Sequence, residues 1–144
     1  MQAQDYKNHS RLVPLYHGVT LLAILVLLIG SFINLYQIIA TGGGIFSASL
    51  ICLTSLILLI MFFFARSFAL KAQDRAIRAE ENFRHYLATG KTFDSRLKLS
   101  QIIALRFADD EEFVELTQKA VKENLSSKQI KQSIKNWKAD HHRV

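Results

Sequence analysis

The chain has 144 residues, of which 50% are apolar and 21% are charged, and its 18 Lys and Arg outnumber its 12 Asp and Glu. This apolar content excludes an intrinsically disordered chain, and a single cysteine excludes a disulfide framework. The charges are unevenly spread, because residues 12–65 contain none and only Asp5, Lys7 and Arg11 precede them. The composition therefore predicts a membrane protein with a polar C-terminal half.

The charge-free stretch contains two apolar segments, residues 19–40 and 45–65, which follow an N-terminal cytoplasmic segment over residues 1–18. At a rise of about 1.5 Å per residue, a helix of either length crosses the roughly 30 Å hydrocarbon core of a bilayer. Residues 41–44 between them are Thr-Gly-Gly-Gly, which suits a helix end and a tight turn. We predict a transmembrane helical hairpin over residues 19–65.

Basic residues lie at both outer ends of this hairpin, whereas the turn has none. Lys7 and Arg11 precede the first span, and the second is followed by Arg66, Lys71, Arg75 and Arg78. Cytoplasmic flanks of membrane helices carry an excess of Lys and Arg, so both termini are expected in the cytoplasm. The basic residues after the second span either set this topology alone or also contact anionic lipid headgroups.

Small and polar residues inside the spans predict where the two helices meet. Gly30 in the first span would allow close approach to a set of small residues in the second, namely Ala48, Cys52 and Ser55. Asn34 and Gln37 predict a hydrogen-bonded helix contact, with a solute or proton site as the alternative. The absence of an acidic or basic group from the spans argues against a pump or an ion-coupled transporter.

A cytoplasmic helical extension is predicted over residues 66–90, since no helix breaker precedes Gly90. Seven residues of this extension and of the end of the second span recur at alternating steps of four and three, which is heptad spacing. We call them the alanine seam: Ala65, Ala69, Ala72, Ala76, Ala79, Phe83 and Tyr86. This spacing favours close helix packing. The partner is either another copy or a foreign helix, or else the C-terminal helices of the same chain.

Residues 91–144 predict a small helical module with three amphipathic segments. The first surrounds apolar residues between Leu97 and Phe107, with a start near Ser100. The second begins at the acidic run 109–112, where the helix dipole favours negative charge, and a metal site there is disfavoured. The third runs from a capping box at Ser126 to Trp137. His141 and His142 at the chain end lack a third ordered ligand and do not predict a metal site.

The third segment carries a lysine stripe at helical spacing, composed of Lys128, Lys131, Lys135 and Lys138. Such a stripe could contact phosphate, anionic lipid or an acidic protein surface, but a solvated lysine face is favoured slightly. The spacing of Ala120, Asn124, Leu125, Ile130 and Ile134 is similar to a helix-turn-helix DNA-binding motif. That similarity is partial, because Lys119, Glu123 and Ser133 stand where such motifs usually carry apolar residues.

Three stretches resemble a family of small bacterial two-helix inner-membrane proteins of unassigned function. They are ALKAQDRAIRAEENFRHY at residues 69–86, SQIIALRFADDEEF at residues 100–113, and the ending that runs from Ile130 and Lys131 through Trp137 to Asp140-His141-His142-Arg143. The resemblance covers nearly the whole chain. It implies a bacterial inner-membrane location and a cytoplasmic segment that is a fixed part of the protein, but it implies no activity, cofactor or catalytic residue.

The expected fold class is therefore all-α: a membrane hairpin, a second span extended into the cytoplasm, and a three-helix module. No nucleophile, base and orienting group can be placed together, so no enzyme, cofactor, metal site or small-molecule substrate is expected. The leading functional hypothesis is a structural or assembly subunit that associates with itself or with a larger membrane complex. Two alternatives are a membrane-tethered nucleic-acid or anionic-lipid binder, and an oligomeric channel or transporter lined by Asn34, Gln37, Ser47 or Thr54.

Overall fold

The computed structural model describes Tyr6 and residues 12–140, and regular structure in this part of the chain is helical. A π-helical turn, Leu15–Thr20, leads into the first of five α-helices; these are α1 (Leu21–Thr41), α2 (Ile45–Thr89), α3 (Leu99–Leu105), α4 (Asp110–Lys122) and α5 (Ser127–Ser133). For this part of the chain, the expectation of an all-α fold is confirmed. Several residues considered above, namely Asp5, Lys7, Arg11, His141, His142 and Arg143, lie outside the described residues.

The chain divides into two compact units, one formed by Leu12–Ala69 and a second that includes residues 70–140. We call the first the apolar unit and the second the polar unit. Residues Leu15–Thr41 and the helix Ile45–Thr89 are long and apolar enough to cross a membrane by length and composition. The apolar unit therefore contains the two stretches predicted to span a bilayer.

The turn of the apolar unit follows the glycine prediction. Gly42 has a φ of +79°, and the backbone N–H groups of Gly42 and Gly43 both donate to the Ile38 carbonyl, at 3.0 and 3.1 Å. Glycine, which has no Cβ, adopts the left-handed conformation at a helix end without steric cost. The next helix, α2, begins at Ile45.

The second helix continues well past the apolar segment, as predicted. It ends at Thr89, and Gly90 follows with a φ of +70° and an N–H that donates to the Tyr86 carbonyl at 2.8 Å. Alanine, arginine, glutamate and lysine dominate residues 66–89, and these are strong helix formers. The helix end is thus set by Gly90, where the backbone turns toward the C-terminal helices.

The polar unit is built around a core of large apolar side chains from α3, α4, α5 and their connections. Phe107, Leu105 and Ile130 are fully buried, and Phe113 is nearly so. Trp137 packs on Phe107 with ring centroids 4.9 Å apart. Burial of side chains of this size stabilises a fold by about 1.5–3 kcal/mol each. This core is what holds the short helices α3 and α5, which are too short to be stable alone.

Local sequence signals account for the ends of α4 and α5. Asp109 and the three acids of the first turn start α4, in agreement with the prediction. At its other end Asn124 has a φ of +48°, and the Leu125 N–H donates to the Ala120 carbonyl at 3.1 Å, which is the hydrogen bond of a Schellman cap. The predicted capping box between Ser126 and Gln129 is present at the start of α5.

The predicted extent of the last helix is wrong. It ends at Ser133 instead of Trp137, because Ile134 has an extended backbone, Lys135 and Asn136 form a bend, and this segment is paired with other parts of the polar unit. Glu112 accepts hydrogen bonds from the N–H groups of Lys135 and Asn136, at 3.0–3.1 Å. Ala108 and Trp137 form an isolated antiparallel bridge. These contacts use backbone groups that a longer helix would have needed for itself.

Candidate functional site

The contact between α1 and α2 in the apolar unit is made by small side chains. The hydroxyls of Ser31 and Ser55 lie 3.1 Å apart, and both residues are buried. Each hydroxyl also donates to a carbonyl of its own helix at 2.7 Å, Ser31 to Leu28 and Ser55 to Cys52. Small residues allow such close approach, and paired hydroxyls leave no buried polar atom without a partner.

The small residues predicted in the second span are placed at this contact, but the predicted glycine is not. Ala48 and Cys52 are buried in the same way as Ser55. Gly30 is exposed within the chain, and a Cβ added there would meet no atom within 4 Å. Its neighbour Ser31 makes the contact instead. A serine inside an apolar segment was the available signal, because a polar side chain in a span usually faces another helix.

The other polar residues of the first span are less enclosed. Asn34 is half-buried and Gln37 is exposed. Tyr16, at the opposite end of the unit, donates its hydroxyl hydrogen to the Phe62 carbonyl, and the two rings stack at 4.4 Å. The contact between the two helices is therefore fixed by a serine pair and an aromatic pair, with Asn34 and Gln37 outside both.

In the polar unit, one face of α2 is covered by the C-terminal helices and their loops. We call it the inner face. Ile77 and His85 are buried on it, and Glu81 and Arg84 are half-buried. His85 lies 4.8 Å from the ring of Phe93, and its Nδ1 lies 2.8 Å from the Lys91 carbonyl oxygen. These residues recur every three to four positions, as one side of a helix must.

Arg84 makes the largest set of contacts on the inner face. Its Nε donates to Asp110 at 2.6 Å, one terminal nitrogen donates to the Ala108 carbonyl at 2.8 Å, and the other donates to Glu81 at 3.1 Å. The guanidinium also lies 4.1 Å from the centre of the Phe113 ring. Planar guanidinium groups suit such combined hydrogen-bonding and ring contacts. Arg84 thus joins α2 to the start of α4.

The two carboxylates held by Arg84 respond to it differently. Burial raises the pKa of Glu81, although the adjacent Arg84 acts to lower it. The Asp110 side chain is 73% exposed, and its hydrogen bond and charge interaction with Arg84 lower its pKa. Glu81 also lines a cleft of about 420 Å³ with Ile77, Phe83, Arg84, Leu87, Arg106, Lys138 and Asp140. Acidic and basic groups alternate around this cleft, which gives it no single sign of charge.

The alanine seam lies away from the inner face. Ala65, Ala72, Ala76, Ala79, Phe83 and Tyr86 are all exposed, and Ala69 is half-buried. Phe83 and the neighbouring Leu87 are 61% and 69% exposed. Most of the seam is therefore exposed in the folded chain. Ala79 nevertheless borders a cleft with Phe93, and Phe83 borders a cleft with Arg106 and Lys138, so the partner of the seam stays a prediction.

The lysine stripe does not form one helical face, because α5 ends at Ser133. Lys128 and Lys131 belong to the helix, with Lys131 Nζ 5.5 Å from the centre of the Phe107 ring. Lys135 lies in the bend that follows the helix, and Lys138 Nζ, further along, lies 3.9 Å from Asp110. The predicted spacing of three, four and three therefore no longer describes a continuous surface. Among the other basic residues predicted to contact anions, Lys71, Arg75 and Arg78 are exposed and Arg66 is half-buried.

The acidic run 109–112 is used within the fold. Asp110 binds Arg84, and Glu112 holds the backbone of residues 135 and 136. Among the described residues, no group of three or more His, Cys, Asp or Glu side chains could hold a metal ion. The acidic run therefore forms the start of α4 and binds Arg84 and the backbone of residues 135 and 136.

The helix-turn-helix spacing is not matched by a helix of useful length. The would-be recognition helix, α5, has seven residues, and Ile130 and Ile134 of the motif are buried in the core of the polar unit. Recognition helices lie in the major groove and need an exposed face of several residues.

Sequence reasoning missed one more residue that orders the polar unit. Gln101 is buried, accepts the Lys98 N–H at 2.7 Å and donates to the Leu125 carbonyl at 2.8 Å. Gln101 therefore links the start of α3 to the turn after α4 through two hydrogen bonds. Its position, three residues after the start of a helix, is a known capping position and was the available signal.

The fold defines a small all-helical protein with two helices apolar enough to span a membrane and a compact helical polar unit. Its sequence matches the family of unknown function DUF6526 over residues 1–144, so the chain belongs to that family. The resemblance drawn from residues 69–86 and 100–113 agrees with this assignment to a family without a known function. No curated protein and no solved structure matches the chain.

Proposed function

We propose that this protein is a two-span inner-membrane subunit with no catalytic role, which presents a helical cytoplasmic unit for assembly with itself or with a larger membrane complex. In this proposal α1 and the first part of α2, to Ala65, form an antiparallel membrane hairpin. Both chain termini face the cytoplasm. The remainder of α2 and the C-terminal helices form the assembly unit.

The observation that carries the proposal is the burial pattern of the apolar unit. Large apolar side chains such as Leu22, Val26 and Met61 are about 60% exposed, whereas the buried positions include the small residues Ser31, Ala48, Cys52 and Ser55. In water such a surface would be far larger than the apolar patches that soluble monomers expose. In a bilayer it is the expected arrangement, because lipid contacts the large side chains and small residues let the helices approach.

The distribution of charge supports the orientation. The turn at residues 41–44 has no basic residue, while Arg66, Lys71, Arg75 and Arg78 follow the second span. Exposed basic groups at this position also suit the anionic headgroups of the inner leaflet, where each contributes about 1 kcal/mol. The same four basic residues therefore support both the proposed orientation and the proposed lipid contact.

The assembly role is supported by the two faces of α2. The inner face is covered by the polar unit, while Phe83, Tyr86 and Leu87 are exposed on a helix outside the apolar segment. Exposed aromatic and aliphatic side chains in a watery compartment are typical of protein interaction surfaces. The contacts of Asp110 and Glu112 within the fold support a structural use of the acidic run.

Alkaline carbonate extraction of bacterial membranes, followed by native electrophoresis in mild detergent, tests the proposal. We expect the full chain to stay in the membrane pellet and to migrate as an assembly larger than one copy. Release by carbonate would contradict the membrane anchor. A strict monomer that purifies with no other protein would contradict the assembly role.

The channel alternative makes a different prediction for the same material. A pore lined by Asn34, Gln37, Ser47 or Thr54 would give ion flux in liposomes that contain the purified protein. We expect no flux above that of empty liposomes. Flux that is lost on substitution of Asn34 by Leu would favour the channel over the assembly subunit.

A further inference from the structure

We propose that the exposed face of α2 pairs with the same face of a second copy, in a parallel and in-register helix pair over residues 72–87. This deepens the assembly role and rests on the proposed function, because a shared membrane anchor makes two α2 helices leave the bilayer in the same direction. The proposal concerns the part of α2 in the polar unit. Its apolar contacts come chiefly from Phe83, Tyr86 and Leu87.

The first argument is geometric. In heptad terms Ala72, Ala79 and Tyr86 occupy d positions, while Ala76 and Phe83 occupy a positions. The inner-face residues Ile77, Glu81, Arg84 and His85 then fall at b, f, b and c, which lie on the opposite side of the helix. The a and d positions therefore lie opposite the buried side of α2 and are exposed, although Ala79 and Phe83 also border clefts with residues of the same chain.

The second argument is chemical, because the C-terminal end of this face is apolar and bulky. Phe83 and Tyr86 are 61% and 51% exposed, and Leu87, at the adjoining e position, is 69% exposed. In a parallel pair, each of these side chains contacts the same residue of the second copy or a residue next to it. Aromatic side chains bury about 150–250 Å² each in such contacts. The alanines before them allow the helix axes to approach to the short end of the usual 8–10 Å range.

The third argument is charge complementarity, which selects a second copy over a foreign helix. In a parallel in-register pair, a g residue of one helix faces the e residue five positions later on the other. Arg75 is at g and Glu80 is at the following e, and both are exposed. A symmetric pair therefore brings Arg75 of each copy opposite Glu80 of its counterpart, with opposite charges at both places. A shift by one heptad would lose both pairs.

Single-cysteine cross-linking in native membranes tests the pairing. Cys52 is the only cysteine and is a small buried residue, so Cys52→Ala gives a cysteine-free background. In this background Ala79→Cys should form a disulfide-linked dimer on mild oxidation, because d positions of parallel pairs approach within disulfide distance. Arg78→Cys, one residue away at an exposed c position, is the matched control. We expect at least fivefold more dimer with Ala79→Cys, and equal yields would overturn the proposal.

Charge exchange tests the register independently of cysteine chemistry. Arg75→Glu and Glu80→Arg each replace two attractive pairs by two repulsive ones, and either should weaken dimerisation in detergent about tenfold. The double variant Arg75→Glu, Glu80→Arg restores opposite charges and should return dimerisation to within about twofold of the original. Failure of the double variant to recover would overturn the in-register arrangement.

The outcomes separate this proposal from the proposed function. A chain that resists carbonate and runs as a large assembly, yet gives no Ala79 cross-link, would overturn the pair and leave the membrane subunit intact. A chain that carbonate releases, yet that cross-links at Ala79 and responds to the charge exchange, would overturn the anchor and leave the pair intact.

Discussion

The apolar unit and the polar unit use the same kinds of residue in opposite ways. In the apolar unit the leucines, valines and phenylalanines are largely exposed and a pair of serines is buried. In the polar unit Phe107, Phe113, Leu105 and Ile130 are buried and the lysines and glutamates lie mostly outside. Large apolar side chains are favoured in lipid and disfavoured in water, so this reversal agrees with the membrane location proposed for the apolar unit.

Under the proposed membrane location, different forces hold the two units. Large apolar side chains leave water in the polar unit, which is the main favourable contribution to the stability of a soluble fold. Lipid is as apolar as leucine, so the apolar unit gains nothing comparable from burying one. Close contact between small residues and paired hydroxyls must supply the helix contact there instead. Substitutions of the same type should therefore have different effects in the two units.

The largest expected effect is the loss of a core aromatic in the polar unit. Phe107→Ala removes a fully buried ring that contacts Trp137, and it should lower the free energy of unfolding by about 3–5 kcal/mol. Leu22→Ala in the apolar unit shortens a side chain that is 64% exposed and should cost less than about 0.5 kcal/mol. Thermal unfolding of both variants in detergent measures the difference. Equal losses of unfolding free energy in the two variants would contradict the opposite burial of large apolar side chains in the two units.

An intermediate effect is expected where the two helices of the apolar unit meet. Ser55→Leu places a large side chain where the Ser31 hydroxyl lies 3.1 Å away, and overpacking of this kind costs about 1–3 kcal/mol. Ser49→Leu is the matched control, because Ser49 is exposed and its hydroxyl bonds only to carbonyls of its own helix. We expect Ser49→Leu to be nearly neutral in detergent. A loss of stability in Ser49→Leu but not in Ser55→Leu would contradict a helix contact at Ser55.

A smaller effect is expected from the buried glutamine of the polar unit. Gln101→Ala removes the acceptor for the Lys98 N–H and the donor to the Leu125 carbonyl, and should cost about 1–2 kcal/mol. Hydrogen exchange should accelerate at the start of α3 and at the turn after α4. Gln132→Ala, at an exposed position of α5, serves as the control and should leave exchange at both places unchanged. Unchanged exchange in Gln101→Ala would contradict the bridging role.

The smallest effect is a change in pH dependence. Burial raises the pKa of Glu81 in the folded chain above its ordinary value of 4.5, so the folded state binds more protons than the unfolded state between these two pKa values. The contribution of Glu81 to stability is then complete below pH 4.5 and is lost as the pH rises through the raised pKa. Glu81→Gln should remove this fall from the stability profile. Glu115→Gln, at an exposed position of α4, should leave the profile unchanged, and an unaltered profile in both variants would contradict the burial of Glu81.

Part of this fold follows from local sequence. The ends of α1 and α2 are set by Gly42 and Gly90, and the capping box at Ser126 starts α5, all through residues within one turn. The end of α5 does not follow in this way. Ile134 and Trp137 keep helical spacing, but Glu112, more than 20 positions earlier, accepts the N–H groups of Lys135 and Asn136. Contacts over that separation are invisible to a periodicity argument.

The two faces of α2 show the same limit. Heptad spacing singled out the alanine seam correctly as a regular pattern, but spacing alone does not say which side of a helix its own chain will cover. The covered side of α2 is the one that carries Arg84 and His85, which contact Asp110, Ala108 and Phe93. In the first span, similarly, composition favoured Gly30, whereas the helix contact is at Ser31, one residue further along the chain.

The central claim is that the apolar unit crosses a membrane twice and returns the chain to the side from which it started. Labelling of single cysteines with a membrane-impermeant maleimide tests it most directly, with Thr41→Cys in the turn and Lys138→Cys in the polar unit, both in the Cys52→Ala background. We predict that intact spheroplasts label Thr41→Cys at once and label Lys138→Cys only after lysis. Labelling of Lys138→Cys in intact spheroplasts, or protection of Thr41→Cys until lysis, would contradict the account.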